Sequence, residues 1–227
     1  MQPARIAELL TPFTGSADGE RLAANDLQSI SIYIDLLLRW NARVNLTAVR
    51  NPEHIVTRHF GESLFAARHL FPHARVGTAA PGCLVERSST SVHSSVADLG
   101  SGAGFPGIPI KLWAPDIALT LIESNHKKAT FLREVARALT LTEVNVLSQR
   151  AETLSPASYD VVTLRAVERF ESVLPLAASM VAPGGRLTLL ISSPQLPTAQ
   201  SILPSLTWKK PIPIPLSQSK LLAIASR

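Results

Sequence analysis

Between Ser94 and Ser192 short apolar runs alternate with segments of helical periodicity, and this alternation constrains the fold more than any other feature. Strands are expected at 94–99, 118–123, 144–148, 159–164 and 185–192, with helices at 107–113, 125–139 and 168–180 between them. Repeated strand–helix–strand units place the chain in the α/β class, a mostly parallel sheet with helices on both faces. Beyond Leu206, "KKPIPIP" followed by "KLLAIAS" suits one or two closing strands, antiparallel and near an edge. Upstream, Leu22, Leu27, Ile30, Tyr33, Ile34, Leu37 and Leu38 recur at helical spacing, which predicts a helix over about 19–42. Asn51 resembles an N-cap with Pro52 in the first turn, so a second helix is expected over 52–70. Residues 1–73 therefore read as an N-terminal helical appendage and 96–227 as the main domain. The Ser/Thr-rich, aperiodic stretch 74–95 reads as a loop between them.

A chain of 227 residues with 46% hydrophobic content can bury a core that needs no covalent staples. The single cysteine, Cys83, excludes an intramolecular disulfide and fits a reducing compartment. It lies in a polar loop without metal-ligand spacing, so no metal is expected. No run of 18 apolar residues suggests a membrane span, and "MQPARIAELLTPF" lacks the charged-then-apolar order of a secretory signal. These features lead us to expect a soluble, cytoplasmic protein. The net charge of +5 permits a phosphate-backbone partner without demanding one.

The stretch "VADLGSGAGFPGIPI" at 96–110 closes one strand and opens a helix with glycines that invite close approach of a ligand. Gly102, Gly104 and Gly107 fit the dinucleotide pattern G-x-G-x-x-G, with Glu123 spaced for a ribose contact. Asp98, Gly100, Gly102 and Gly104 fit equally well the looser pattern that binds S-adenosylmethionine. In open α/β sheets ligands sit at the carboxyl ends of the strands. Asp98, Glu123, the Ala151–Glu152 step and Arg165 all fall at or just beyond such ends. Glu123 suits two ribose hydroxyls in either reading, or an ion pair with Lys127. Asp98 discriminates, because an acid is unfavourable beside a pyrophosphate and favourable beside an ammonium and a sulfonium. It could equally hold the turn. Phe105 fixes the turn and brings a ring near the ligand. Ala151 and Glu152 are placed to read an adenine edge, although Glu152 by itself reads as a solvated charge. Arg165 sits where a transferred group would be presented and is the candidate catalytic residue, with a structural pair to Asp160 or Glu168 as the alternative.

With these residues assembled, the chain resembles the RsmG (GidB) family of 16S ribosomal RNA guanine-N7 methyltransferases. The resemblance rests on "RWNARVNLTAV" at 39–49, "RHFGESL" at 58–64, "DLGSGAGFPGIPI" at 98–110, "LIESNHKKATFLREV" at 121–135, "QRAE" at 149–152 and "YDVVTLRAV" at 159–167. It implies a Rossmann-like class I methyltransferase fold, S-adenosylmethionine as donor, and a guanine in the decoding-region loop of the small ribosomal subunit as acceptor. Gly100, Phe105, Ala151, Glu152 and Arg165 match the family's cofactor positions, and a monomer is expected. Guanine N7 carries a free lone pair, so alignment rather than a general base suffices. RNA contacts are expected among Arg39, Arg43, Arg58, His59, Lys127, Lys128, Arg133 and Arg165. Trp40 reads as a core anchor, while Asn45 and Thr47 suit either a guanine edge or a cap between helices. Two departures stand out: "TLRA" lacks the family's serine before the arginine, and "ISSPQ" at 191–195 replaces its Lys-Gly. A catalytically silent RNA-binding relative and a NAD-linked oxidoreductase are the alternatives.

Overall fold

The computed structural model describes residues 1–15, 22–72, 94–166 and 169–227. At its centre β1 (Ser95–Leu99), β2 (Ala118–Ile122), β3 (Val144–Leu147), β4 (Tyr159–Arg165) and β5 (Val181–Ser192) form a parallel array. Its order is β3-β2-β1-β4-β5, continued by antiparallel β8 (Lys220–Ser226). Short β6 (Thr207–Trp208) and β7 (Ile212–Pro213) both pair with β8, so the tail supplies three strands rather than one or two. The chain order reverses between β1 and β4, and a ligand crevice belongs at that switch point.

Successive strand residues point to opposite faces, and the core divides accordingly. Val96, Leu119, Leu121 and Val161 face one layer, and Ala97, Leu99, Val162 and Leu164 face the other. The second layer holds α7 (Phe170–Met180) and α8 (Gln195–Ile202), the latter not anticipated from periodicity. The first holds α5 (Gly107–Trp113) and α6 (His126–Ala138), within a residue of the expected bounds.

The N-terminal helices pack on that same first layer. They are α1 (Pro3–Thr14), α2 (Ala24–Val44), α3 (Pro52–Ile55) and α4 (Glu62–Leu70), with a π-helical turn, Val56–Gly61, joining the last two. Helix α1 was not anticipated, and α2 begins later than expected. Ile6, Phe13, Ile34, Phe60 and Leu64 share one continuous core with Ile108, Trp113 and Phe131. Trp40 joins it at 5.7 Å from the Phe131 ring, as a core anchor should. The indole of Trp113 donates to the Phe71 carbonyl and Arg186 to that of Leu70, tying the end of α4 to the sheet domain. Of the 74–95 loop, residues 74–93 lie outside the described residues. So does the side chain of Glu168.

Candidate functional site

A cavity of about 600 Å³ opens at the carboxyl ends of β1, β2 and β4. One wall is the loop between β1 and α5. Gly102, at φ 55°, presents its N–H to Glu123 Oε2 at 2.9 Å. The other oxygen of Glu123 accepts the Asn125 N–H at 2.7 Å. A mostly buried carboxylate is thereby fixed in direction by two backbone amides, while each oxygen keeps acceptor capacity toward the cavity. These backbone bonds, rather than an ion pair with Lys127, are the contacts that place it. Asn125 in turn caps α6, accepting from the N–H groups of Lys127 and Lys128.

Seven of the nine cofactor candidates line this cavity: Gly100, Gly102, Phe105, Glu123, Ala151, Glu152 and Arg165. Asp98 and Gly104 lie beneath it. The Asp98 carboxylate accepts the Thr163 hydroxyl at 2.9 Å and the Gly107 N–H at 3.2 Å, holding the loop from below. Burial pushes its pKa up to about 6, opposed by those two hydrogen bonds and by the Arg165 charge. Because Asp98 already takes the first amide of α5, that helix end offers no welcome to a pyrophosphate. Gly104, at φ 87°, has no room for a side chain: a Cβ there would strike the Tyr33 hydroxyl and Ile108. Tyr33, on α2, donates to the Ala103 carbonyl at 2.5 Å and stacks on Phe105 at 5.3 Å. The appendage thus shapes the glycine loop directly.

The facing wall comes from the appendage and β4. Arg165 Nη2 reaches the Arg58 carbonyl at 2.5 Å, His59 Nδ1 at 3.0 Å and Glu62 Oε2 at 3.1 Å. Its ion-pair partner is therefore Glu62, not Asp160. Lys220 also binds Glu62, at 2.6 and 2.9 Å. Lys220 stands opposite Ser192 in the β5–β8 register, so the basic group at this edge comes from β8 instead of from the turn after β5. His59 stacks on Phe105 at 4.9 Å, and its Nε2 lies 2.8 Å from Thr47 Oγ1. Burial, then the charges of Arg165 and Lys220, push the His59 pKa down to about 3, with the Arg58 carbonyl acting weakly the other way. The neutral ring is the stable form. The π-helical turn carries Arg58 and His59 to this wall, and such turns favour functional sites.

Asn45, at φ 48°, ends α2 as a cap. Thr47 instead faces the cavity, its backbone held by Asn41, which donates to its carbonyl at 2.8 Å and accepts its N–H at 2.9 Å. Lys128 also lines the cavity, while Arg39, Arg43, Arg58, Lys127 and Arg133 are exposed. Sequence reasoning gave no role to Glu62, Lys220 or Asn41. The first and last sit inside the quoted motifs "RHFGESL" and "RWNARVNLTAV", but only the fold shows their partners. Among the described residues no helix is long and apolar enough to cross a membrane, and no acidic, His or Cys group could hold a metal ion.

Solved structures share this fold at low identity. The ribosomal protein L11 methylase of Lactobacillus delbrueckii subsp. bulgaricus aligns with a TM-score of 0.54 and 16% identity, over 74% of this chain and 79% of that one. A predicted O-methyltransferase of Agrobacterium tumefaciens aligns at 0.50 and 21%, over 61% and 76%. Together with the strand order they establish a Rossmann-like class I methyltransferase fold. Closer in sequence is a "Ribosomal RNA small subunit methyltransferase G" from Xanthomonas campestris pv. campestris (strain B100), 37% identical over 72% of this chain and 73% of its own length. A protein of the same name from Halorhodospira halophila is 38% identical over 74% and 71%. The model of the GidB family, rRNA small subunit methyltransferase G, matches residues 26–196, and the chain belongs to that family.

Proposed function

We propose that the protein transfers the methyl group of S-adenosylmethionine to N7 of a guanine in the decoding-region loop of 16S ribosomal RNA. The carrying observation is the two-walled cavity, with the amide-fixed Glu123 on one side and Arg165, His59 and Thr47 on the other. Glu123 would hold the ribose hydroxyls, the Gly100–Gly102 backbone the methionine portion, and Ala151–Glu152 the adenine edge. Asp98 contributes negative charge from beneath the loop, which suits a cationic ligand. When bound, S-adenosylmethionine supplies an electrophilic methyl on a positively charged sulfur.

The remaining chemistry fits the acceptor. Burial and the Arg165 and Lys220 charges disfavour protonation of His59, which makes it a poor base. An oxygen or amino nucleophile that must lose a proton finds little help there, whereas guanine N7 attacks as it stands. Arg165 acts as a positioning residue, holding His59, the Arg58 carbonyl and Glu62 in one arrangement so that the acceptor meets a preorganised wall. The exposed cations nearby suit a phosphate backbone.

Tritiated methyl transfer to 30S subunits lacking the modification tests this reading. Label on a guanine N7 is expected. Glu123→Ala should weaken donor binding about 10-fold or more, the scale of losing charge-assisted hydrogen bonds, and Arg165→Ala should abolish label. Donor and RNA binding without any label would favour the silent relative. No donor binding by calorimetry would defeat the pocket assignment.

A further inference from the structure

The polarity of one hydroxyl in the cavity wall is dictated by its neighbours. A guanidinium has only donors, and Arg165 Nη2 shares its two protons among the Arg58 carbonyl, Glu62 Oε2 and His59 Nδ1 at 3.0 Å, a contact that favours Nδ1 as acceptor over Nδ1–H facing a cation. A neutral imidazole that accepts at Nδ1 carries its proton on Nε2. In that tautomer the N–H, 2.8 Å from Thr47 Oγ1, donates to the threonine. The Val49 N–H, at 3.1 Å, donates to the same oxygen. With both lone pairs of Oγ1 taken, its remaining valence is its own O–H. Thr47 lines the cavity, Asn41 clamps its backbone from both sides, and the stack of His59 on Phe105 on Tyr33 holds the imidazole plane. In this tautomer Thr47 is a fixed donor with one direction left to give.

We propose that Thr47 donates to O6 of the purine to be methylated, making it the residue that selects guanine over adenine. His59 and Arg165 are positioning residues that set the polarity of this donor. The assignment rests on the guanine-N7 reading above. Along the edge that carries N7, guanine shows two acceptors, N7 and O6, whereas adenine shows N7 and an amino donor. A fixed donor complements O6, opposes the adenine amine, and leaves the N7 lone pair free to react. A donor with free rotation, or one that could turn acceptor, would not discriminate in this way.

The test uses 30S subunits reconstituted with the target guanine kept, replaced by inosine, which keeps O6, or replaced by 2-aminopurine, which lacks it. Thr47→Val should lower kcat/KM roughly 10- to 100-fold on guanine and inosine, and Thr47→Ser should restore most of it. On 2-aminopurine the unaltered protein should lose a similar factor, and Thr47→Val should lose no more. Equal losses from Thr47→Val on all three bases, or no loss on guanine, would overturn the assignment. Imidazole ¹⁵N shifts check the polarity independently: His59 should carry its proton on Nε2, and a proton on Nδ1 overturns the proposal. Failure of the unaltered protein to label guanine would bring down the parent reading as well, whereas activity with unchanged base discrimination sinks only the role of Thr47.

Discussion

The two walls of the cavity are built on opposite plans. The glycine-loop wall is local and made of backbone: Glu123 is fixed by amides of Gly102 and Asn125, no more than 21 positions away. The facing wall is assembled by side chains from distant segments, with Arg165 reaching 103 positions to Glu62 and Lys220 reaching 158. A local turn forms wherever the strand–turn–helix unit forms. The facing wall exists only after the appendage has packed, so its order depends on the whole fold. In the proposed reaction the task of holding a small cofactor falls to the local wall, and selection of the acceptor falls to the long-range one.

Gly104→Ala should break the comparison most severely, because Gly104 is where the walls touch. The substitution combines a left-handed backbone with a clash against Tyr33 and Ile108. A loss of about 4 kcal/mol is expected from strain plus overpacking, lowering the melting temperature by roughly 10 °C. A melt within about 2 °C of the unaltered protein would mean that the appendage sits more loosely on the loop than the Tyr33 contacts require.

Arg165→Ala should damage the long-range wall alone. Removing one partner of a buried ion pair commonly costs 3–5 kcal/mol, and here Lys220 still compensates Glu62, so about 2 kcal/mol is expected. Donor affinity, governed by the local wall, should change by less than about threefold, whereas methyl transfer is lost. If donor affinity falls as far as with Glu123→Ala, the walls are coupled and not separate.

The smallest effect is one of pH, and it sharpens the contrast between a buried acid under one wall and a buried imidazole in the other. The raised pKa of Asp98, about 6 when folded against about 3.9 unfolded, makes stability fall as pH rises between those values. The depressed pKa of His59, about 3 against about 6.5 unfolded, makes stability fall as pH drops through that window. Between about pH 4 and 6 the two slopes oppose each other, so these groups leave the stability of the unaltered protein nearly level. Asp98→Asn removes one of them. Its stability should climb with pH over that window, and at pH 8 it should exceed the unaltered protein by on the order of 1 kcal/mol. Chemical denaturation at several pH values reads both, and a profile left level by the substitution would show that Asp98 does not titrate as its burial suggests.

Much of the local wall was legible in the residues. The strand–turn–helix junction, Glu123 one strand further, and the Ala151–Glu152 step all reached the cavity, because strand ends and turn chemistry are short-range properties. Asp98 and Gly104 share the loop's pattern, but packing turned them inward: the aspartate satisfies buried donors and the glycine makes space for Tyr33. Tyr33 itself looked like one apolar position in a helix, since periodicity reports a face and not what the face meets. The π-helical turn was invisible for the same reason, as "VTRHFG" scans as ordinary helix. Likewise the absence of a lysine after β5 suggested a lost basic contact, and only sheet register shows Lys220 arriving from β8.

The sequence by itself determined the α/β alternation, the glycine turn, the carboxylate at the β2 tip and the family. These follow from hydrophobic period, turn-forming residues and spacing along one segment. Tertiary structure alone decided that Arg165 pairs with Glu62, that Lys220 supplies the cation at the sheet edge and, in the proposed hydrogen-bond chain, which way Thr47 presents its proton. Each of those depends on which side chains meet across a hundred residues or on the direction of a hydrogen-bond chain. Neither is encoded in any single stretch, because contact between distant segments is settled by burial of the shared core.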